Sequence, residues 1–211
     1  MTDGQEHAWR EHWSSYGATL AEAGTPLELA AWFGRTAPVI MEIGSGTGES
    51  TAVMAAAAPE INHLAVEVYQ PGLAQLLMRI QQFELANLRL LRADAVEVLA
   101  ERTVPDSLAG IRIYFPDPWP KRKHHKRRLV QPDFVALAAS RLRPGGTLHL
   151  ATDWAHYAEQ MHEVCSAEPT LDNTAADGGW APRPDWRPLT KFEQRAVAEG
   201  RAVRDLIFSR R

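Results

Sequence analysis

The stretch FPDPWPKRKHHKRRL, residues 115–129, holds the densest group of side chains capable of chemistry. An acid, Asp117, stands between two prolines, and an indole, Trp119, follows it. Of residues 121–128, six are Lys or Arg and two are His, although the whole chain has a formal net charge of −3. A carboxylate accepts hydrogen bonds, an indole stacks on aromatic rings, and clustered cations bind phosphates. This combination favours a site for a nucleotide within a nucleic acid.

Each part of this stretch also has a purely structural interpretation. Asp117 and its prolines could form only a rigid turn that ends a strand, with Trp119 packed in the core. Charge runs are usually solvated faces. Because the cations adjoin a candidate active site on an acidic chain, we favour the functional interpretation of both parts.

A second candidate site begins at Glu42 and continues through the glycine loop Gly44-Ser45-Gly46-Thr47-Gly48. Alternating glycines allow a sharp turn and a close approach of a ligand, and the following helix offers free N–H groups. A dinucleotide-binding loop would need glycine where Glu49 stands, and that acid would repel a pyrophosphate. Acids beside the loop suit a cofactor with a cationic centre and an ammonium group. S-adenosylmethionine has both.

Two more acids follow predicted strands. Glu67 lies nineteen residues after Gly48, at the place where a carboxylate accepts hydrogen bonds from ribose hydroxyls. Asp94 precedes Ala95, an arrangement common beside an adenine amino group. Asp94 could equally be a helix cap, and the sequence alone leaves both possibilities open. The three acids and the glycine loop together predict a pocket for S-adenosylmethionine.

Further candidates lie towards the C-terminus. Asp153 lies two residues after the predicted strand of residues 147–151. Thr190 and Glu193 have the spacing of a capping box, which is an alternative to a role in binding.

Alternating strands and helices must position these residues. Strands are predicted at residues 39–43, 63–68, 88–93, 111–115, 147–151 and 203–209. Helices are predicted around residues 7–16, 25–33, 49–58, 73–85, 95–101, 134–142, 154–167 and 190–199. This order predicts an α/β fold with a mainly parallel sheet, whose ligands bind at the carboxyl ends of the strands. Residues 1–38 are predicted to be a helical extension before a single domain of residues 39–211.

Composition limits the other classes of function. The 211 residues suffice for one core, and neither a membrane span nor a signal peptide is visible, so we expect a cytoplasmic protein. The single cysteine, Cys165, excludes an intrachain disulfide and a cysteine-built metal site. The histidines lack metal-binding spacing, and we expect no metal. The sequence leaves a monomer and a homodimer equally open.

Six stretches together resemble the tRNA (guanine-N7-)-methyltransferase family. They are WFGRTAPVIMEIGSGTGES, VEVYQPGL, NLRLLRADA, IYFPDPWPKRKHHKRRL, PGGTLHLATDW and LTKFE. The resemblance implies a Rossmann-like class I S-adenosylmethionine-dependent methyltransferase with a mostly parallel, seven-stranded sheet flanked by helices. It implies S-adenosylmethionine as donor and guanosine 46, in the variable loop of tRNA, as acceptor.

The resemblance also implies roles for individual residues, with Asp117 as the catalytic one. Cofactor binding is expected of Glu42, Gly44, Gly46, Gly48, Glu67, Asp94 and Asp117. Substrate binding is expected of Lys121, Asp153, Thr190, Lys191, Phe192 and Glu193. RNA binding is expected of Lys123, His124, His125, Lys126, Arg127 and Arg128.

Guanine N7 carries a lone pair and no proton, so methylation there needs orientation and electrostatic support rather than a general base. We expect Asp117 to supply both. Two alternatives stay open: a methyltransferase for another nucleobase position or a small molecule, and an RNA-binding protein without catalysis.

Overall fold

The computed structural model describes residues 1–20 and 25–211, which form two compact units. The first unit comprises residues 1–104 and 186–188, and the second comprises residues 105–185 and 189–211.

The first unit contains a parallel sheet in the order β1-β4-β3-β2. Its strands are β1 (Gly17–Thr19), β2 (Val39–Ile43), β3 (Asn62–Val66) and β4 (Leu88–Arg92). All five residues of β3 are buried, as expected for a parallel strand covered on both faces. The carboxyl ends of β2, β3 and β4 therefore lie at one edge of this sheet.

Helices pack against that sheet. They are α1 (Asp3–Tyr16), α2 (Leu29–Phe33), α3 (Glu49–Ala57), α4 (Gln70–Phe83) and α5 (Ala95–Glu97), which continues into a π-helical turn (Val98–Arg102). Helix α1 begins with a capping box of Thr2 and Gln5. It packs against α4 and places the stacked rings of Trp9 and Trp13, 3.9 Å apart, on the core.

The second unit contains strands in the order β5-β6-β8-β7. They are β5 (Leu108–Tyr114), β6 (Leu142–Thr152), β7 (Leu171–Asn173) and β8 (Arg204–Arg210). Strands β5 and β6 are parallel, whereas β8 pairs antiparallel with both β6 and β7. The helices are α6 (Pro132–Arg141), α7 (Ala155–Ala167) and α8 (Lys191–Ala198), with a 3₁₀ helix at Arg122–Arg127.

A buried polar chain crosses three strands of the second unit. The Tyr114 hydroxyl lies 2.9 Å from His149 Nδ1, and His149 Nε2 lies 2.7 Å from Asp205 Oδ1. His149 and Asp205 are buried, so their polar atoms need these partners. This series of hydrogen bonds connects the C-terminal strand β8 to β6 and, through His149, to β5.

The α/β alternation and the mainly parallel pairing are as predicted, and the number of strands is not. The described residues contain eight strands rather than seven. Strands β1 and β7 are three residues each, too short for a periodic pattern, and pairing with a neighbour creates them. Strand β6 also begins at Leu142, before the predicted start at residue 147, because it continues through a bulge opposite Leu108 and Gly110.

The described residues contain neither a helix suited to crossing a membrane nor a cluster of metal-ligating side chains. No helix in residues 1–20 or 25–211 is both long enough and apolar enough to cross a bilayer. Over the same residues, no group of three or more His, Cys, Asp or Glu side chains could hold a metal ion. Cys165 is a free, buried thiol.

Candidate functional site

The glycine loop between β2 and α3 adopts the backbone conformation that glycine permits. Gly44, Gly46 and Gly48 have φ angles of +75°, +55° and +69°, which strain other residues. At Gly44 and Gly46 no heavy atom lies within 4 Å of an added Cβ, so open space adjoins the loop. At Gly48, the N-cap of α3, a Cβ would lie 2.3 Å from Leu76 Cδ1. Gly48 is thus required for packing as well as for conformation.

Glu67 fixes this loop to the end of β3. Its Oε2 accepts a hydrogen bond from the Gly46 amide at 2.8 Å. Its Oε1 accepts two more, from the amides of Val68 at 2.8 Å and Tyr69 at 2.9 Å. The half-buried carboxylate is thereby held in one orientation at the edge of the sheet, where ribose hydroxyls would add further donors.

Gly72, in the first turn of α4, contributes to the site and was not predicted from the sequence. A Cβ there would lie 2.2 Å from the carbonyl oxygen of Gly46. Only glycine allows α4 to approach the loop so closely. A lone glycine after Pro71 does not reveal this contact, because its partner, Gly46, lies 26 residues earlier in the chain.

Two other predicted cofactor residues differ in exposure. Glu42 is 5% exposed, within β2, and the Ser50 hydroxyl lies 3.5 Å from its Oε1. Asp94 is exposed and caps α5, since its Oδ1 accepts hydrogen bonds from the amides of Val96 at 2.8 Å and Glu97 at 3.3 Å. The capping interpretation of Asp94 is therefore confirmed. Among the described residues no donor bonds its Oδ2, so capping does not exclude a ligand there.

These residues fit S-adenosylmethionine by the chemistry of their donors and by space. The acids Glu42, Glu67 and Asp94 lie at or just beyond the carboxyl ends of three adjacent strands of one parallel sheet, and the glycine loop follows the first of these strands. Carboxylates suit the ammonium, ribose and adenine amino groups of the cofactor, and the backbone leaves it room.

In the second unit, Asp117 lies in a strained turn, residues 115–119, which we call the Asp117 turn. Phe115 and Trp119, on either side, have φ angles of +50° and +43°. Such left-handed conformations cost non-glycine residues about 1–3 kcal/mol each and cluster at functional sites. The Phe115 amide donates to the Ala151 carbonyl oxygen at 2.8 Å, which fixes one end of the turn on β6. Asp117 itself is exposed.

Trp119 contacts the basic segment, residues 121–128, rather than the core. Its half-buried ring lies 4.9 Å from the Arg127 guanidinium carbon and 5.8 Å from the His124 ring. The first contact has the geometry of a cation–π interaction. The alternative interpretation, in which Trp119 packs in the core, is therefore wrong.

The basic segment forms a short 3₁₀ helix with most of its charge in solvent. Its exposed cations are Lys121, Arg122, Lys123, Lys126 and Arg127. The His124 amide donates to the Lys121 carbonyl oxygen at 2.7 Å, which closes the first turn. Five exposed cations on one short helix offer a concentrated positive charge to phosphates.

His125 differs from these cations. Its ring lies 4.7 Å from the His156 ring, and its carbonyl oxygen accepts a hydrogen bond from Gln131 at 3.0 Å. Desolvation, and then the charge of Arg128, lower the pKa of the His125 imidazole below its usual value. The surroundings of His125 therefore disfavour the charged form of its imidazole.

Arg128 was expected to bind RNA together with its neighbours, and the structure places its side chain differently from theirs. Its side chain is 2% exposed. The guanidinium donates to the Pro118 carbonyl oxygen and to Gln160, at 2.8 Å and 2.6 Å. A charge run in the sequence cannot distinguish a solvated arginine from a buried one, because only tertiary packing decides it.

The predicted substrate residues beyond residue 150 are engaged in local contacts. Asp153 forms an ion pair with Arg201 at 2.8 Å. Thr190 Oγ1 accepts a hydrogen bond from the Glu193 amide at 3.1 Å, so Thr190 is the N-cap of α8. The buried Glu193 carboxylate lies 3.8 Å from Arg183. The sequence analysis missed both arginines, since their partners are distant in the chain and no motif marks them.

Lys191 and Phe192, in the first turn of α8, point into solvent. Phe192 is 73% exposed. An aromatic ring so exposed on a capped helix contributes little to the core, and it is available for stacking.

Comparison with known proteins identifies relatives over nearly the whole chain. A family model described as "Putative methyltransferase" matches residues 36–206. The tRNA (guanine-N(7)-)-methyltransferase of Bordetella parapertussis is 58% identical over 188 residues, which cover 89% of this chain and 73% of the relative. The protein of the same name from Alkalilimnicola ehrlichii is 50% identical, over 100% of this chain and 89% of the relative.

Solved structures share the fold at low identity. The 16S rRNA methyltransferase KamB superposes with a TM-score of 0.63 at 15% identity, over 87% of this chain and 92% of KamB. A 16S rRNA (adenine(1408)-N(1))-methyltransferase from Catenulisporales acidiphilia, solved with its cosubstrate SAM, gives a TM-score of 0.59 at 15% identity, over 87% and 90%. The fold is that of a class I S-adenosylmethionine-dependent methyltransferase.

Proposed function

This chain belongs to the tRNA (guanine-N(7)-)-methyltransferase family, and we propose that it methylates N7 of a guanosine in tRNA with S-adenosylmethionine as donor. The observation that carries the proposal is identity of 50% or more with relatives of that name across nearly the whole chain. Guanosine 46 of the variable loop is the proposed acceptor. We also propose that the protein is cytoplasmic, as expected for an enzyme that acts on tRNA. The proposal is compatible with either a monomer or a homodimer.

We assign the donor site to the first unit. When bound, S-adenosylmethionine supplies an electrophilic methyl group on a sulfonium. Glu67 would accept hydrogen bonds from its ribose, Asp94 Oδ2 from its adenine amino group, and Glu42 would favour its positive charge. The amides at the N-terminus of α3 and the open face at Gly44 and Gly46 would allow close contact with the backbone.

We assign the acceptor site to the second unit. Asp117 would accept a hydrogen bond from the guanine edge and offset the positive charge that develops on the purine as N7 is alkylated. Because N7 has no proton, Asp117 does not need to act as a base. Its contribution depends on position, and holding reactants in line can lower a barrier by up to about 7–11 kcal/mol.

The remaining substrate roles are divided between the basic segment and the predicted residues beyond residue 150. Lys121, Lys123, Lys126 and Arg127 are exposed cations that would bind tRNA phosphates. Asp153, Thr190 and Glu193 are proposed to contact the nucleoside, with Lys191 and Phe192 beside them. Phe192 can stack on a base because its ring is accessible.

The direct test is incubation of unmodified tRNA with labelled S-adenosylmethionine, followed by digestion and nucleoside mapping. The proposal predicts label in 7-methylguanosine. Label in another nucleoside would support the alternative methyltransferase. Binding of tRNA without any transfer, and without binding of S-adenosylhomocysteine, would identify an RNA-binding protein that lacks catalysis.

A further inference from the structure

We infer that Arg128 is a positioning residue that holds the Asp117 turn in its reactive conformation, and that it does not bind phosphate. This inference rests on the proposed function, because it concerns the turn that carries Asp117. It separates Arg128 from the neighbouring cations of the basic segment, which sequence alone groups together.

Burial separates Arg128 from its neighbours. Its side chain is 2% exposed, whereas Lys126 and Arg127, directly before it, are exposed. A phosphate group could reach Arg128 only after the segment is displaced. Counterion release requires contact between cation and phosphate in solvent, so Arg128 is in the wrong place for that role.

The guanidinium of Arg128 links the Asp117 turn to helix α7. Its Nε donates to the Pro118 carbonyl oxygen at 2.8 Å, which belongs to the residue after Asp117. Its Nη1 donates to Gln160 Oε1 at 2.6 Å and lies 3.1 Å from His156 Nδ1, both on α7. A planar fork with several donors can hold two elements at once, which a lysine cannot do.

The residues around Arg128 are themselves fixed. The Gln160 amide donates to the Val130 carbonyl oxygen at 3.1 Å, and the Tyr157 hydroxyl accepts from the Val130 amide at 3.1 Å. The Arg128 guanidinium carbon lies 4.7 Å from the centre of the Tyr157 ring. Burial raises the pKa of Tyr157 to about 12, so this ring stays neutral. The link between α7 and the turn is therefore rigid.

The cost of burying Arg128 indicates a positional role. Among the described residues no carboxylate pairs with it. A buried cation without an ion pair is expensive, and an apolar residue of similar volume would often be as stabilising. What an apolar residue could not do is hold the Pro118 carbonyl, in a turn where Phe115 and Trp119 are both strained.

The primary test is Arg128→Lys, assayed for tRNA methylation over a range of salt concentrations. The variant keeps the charge and loses the fork, so we expect kcat to fall by about 10²-fold through misplacement of Asp117. The KM for tRNA should change by less than about twofold, and its salt dependence should keep the same slope. Lys126→Ala, two residues away, should instead raise the KM and reduce that slope by about one.

Hydrogen exchange gives a second readout that a general loss of stability would not reproduce. Three of residues 115–120 are prolines without an amide hydrogen, so the readout is the Phe115 amide, which donates to Ala151. In Arg128→Lys its exchange should accelerate, while peptides from α6 and β8 stay as protected as in the parent protein. If Arg128→Lys does not fold, Gln160→Ala should give the same pattern with a smaller decrease in kcat, since it leaves the bond to Pro118.

Three results would overturn the inference. The first is an Arg128→Lys variant whose kcat is unchanged while its KM for tRNA rises and its salt slope becomes shallower. The second is unchanged exchange of the Phe115 amide in that variant. The third is an unchanged kcat in Gln160→Ala. Failure of the proposed function is distinguishable, because the parent protein would then place no label in 7-methylguanosine while the exchange result would stand.

Discussion

At the scale of single residues, the proposed chemistry depends on where one carboxylate is held. Asp117 is exposed, yet prolines on both sides and left-handed residues at 115 and 119 restrict its backbone. A strained turn of this kind persists only when its surroundings determine it. The position of Asp117 is thus fixed before any substrate binds.

Asp117→Asn should reduce kcat by about two to four orders of magnitude, because the amide retains the shape and loses the negative charge. Thermal stability should stay close to the parent value, because Asp117 is exposed. Asp133→Asn, an exposed acid in α6, is the matched control and should keep full turnover. Turnover of Asp117→Asn within a few-fold of the parent protein would remove Asp117 from the active site.

His125 predicts a pH dependence of stability. Desolvation and the charge of Arg128 lower the pKa of His125 in the folded protein. In the unfolded chain the histidine pKa is about 6.5, so the unfolded chain binds the proton more readily. Stability should therefore decrease as the pH falls below about 6.5. His125→Gln should weaken this decrease in thermal unfolding measured between about pH 7 and pH 5. An identical pH dependence in both proteins would show that His125 is not perturbed.

At the scale of elements, the glycine loop and the basic segment each have a local sequence suited to one proposed role. The loop is proposed to bind the cofactor, and the segment is proposed to bind tRNA. To bind a cofactor, the loop needs left-handed glycines beside open space. To bind phosphates, the segment needs exposed cations on one short helix. Both were predicted from the sequence, because glycine spacing and charge density are local signals.

Gly44→Ala should weaken binding of S-adenosylhomocysteine by more than about tenfold, since a Cβ would occupy the face that we assign to the cofactor. Gly34→Ala is a matched control. Its φ of +70° is similar to the +75° of Gly44, and a Cβ there also meets no atom within 4 Å. Both variants should lose similar stability, and calorimetry should show weakened binding in Gly44→Ala alone. Equal affinities would contradict the assigned pocket.

Lys123→Ala should weaken tRNA binding and reduce the slope of log affinity against log salt by about one. Arg143→Ala, which removes an exposed cation at the start of β6, is the control for net charge. A slope that falls equally in both variants would indicate an effect of total charge rather than contact by the basic segment.

At the scale of the whole molecule, sequence patterns predicted the alternation of strands and helices and the acids that follow the strands. Glu67 lies directly after β3 and Asp94 lies two residues after β4, close to where the sequence predicts, because apolar runs and their polar ends are encoded locally. Asp94 as a helix cap was one of two possibilities, and only its hydrogen bonds show that capping occurs.

Features that depend on distant partners were not predictable. Arg128 is buried because Gln160 and Tyr157, about thirty residues later on α7, enclose it. Strand β1 exists because it pairs with β4, more than seventy residues away. Arg201 is recognisable as the partner of Asp153 only in the structure. Sequence patterns of short period carry no information on such contacts.

The central claim, methylation at guanine N7 of tRNA, has a direct chemical test. Unmodified tRNA is incubated with the protein and S-adenosylmethionine, reduced, and treated with aniline, which cleaves RNA at 7-methylguanosine. We predict cleavage at one guanosine in the variable loop, and none when that guanosine is replaced by adenosine. Methylated tRNA that aniline leaves intact would contradict the claim.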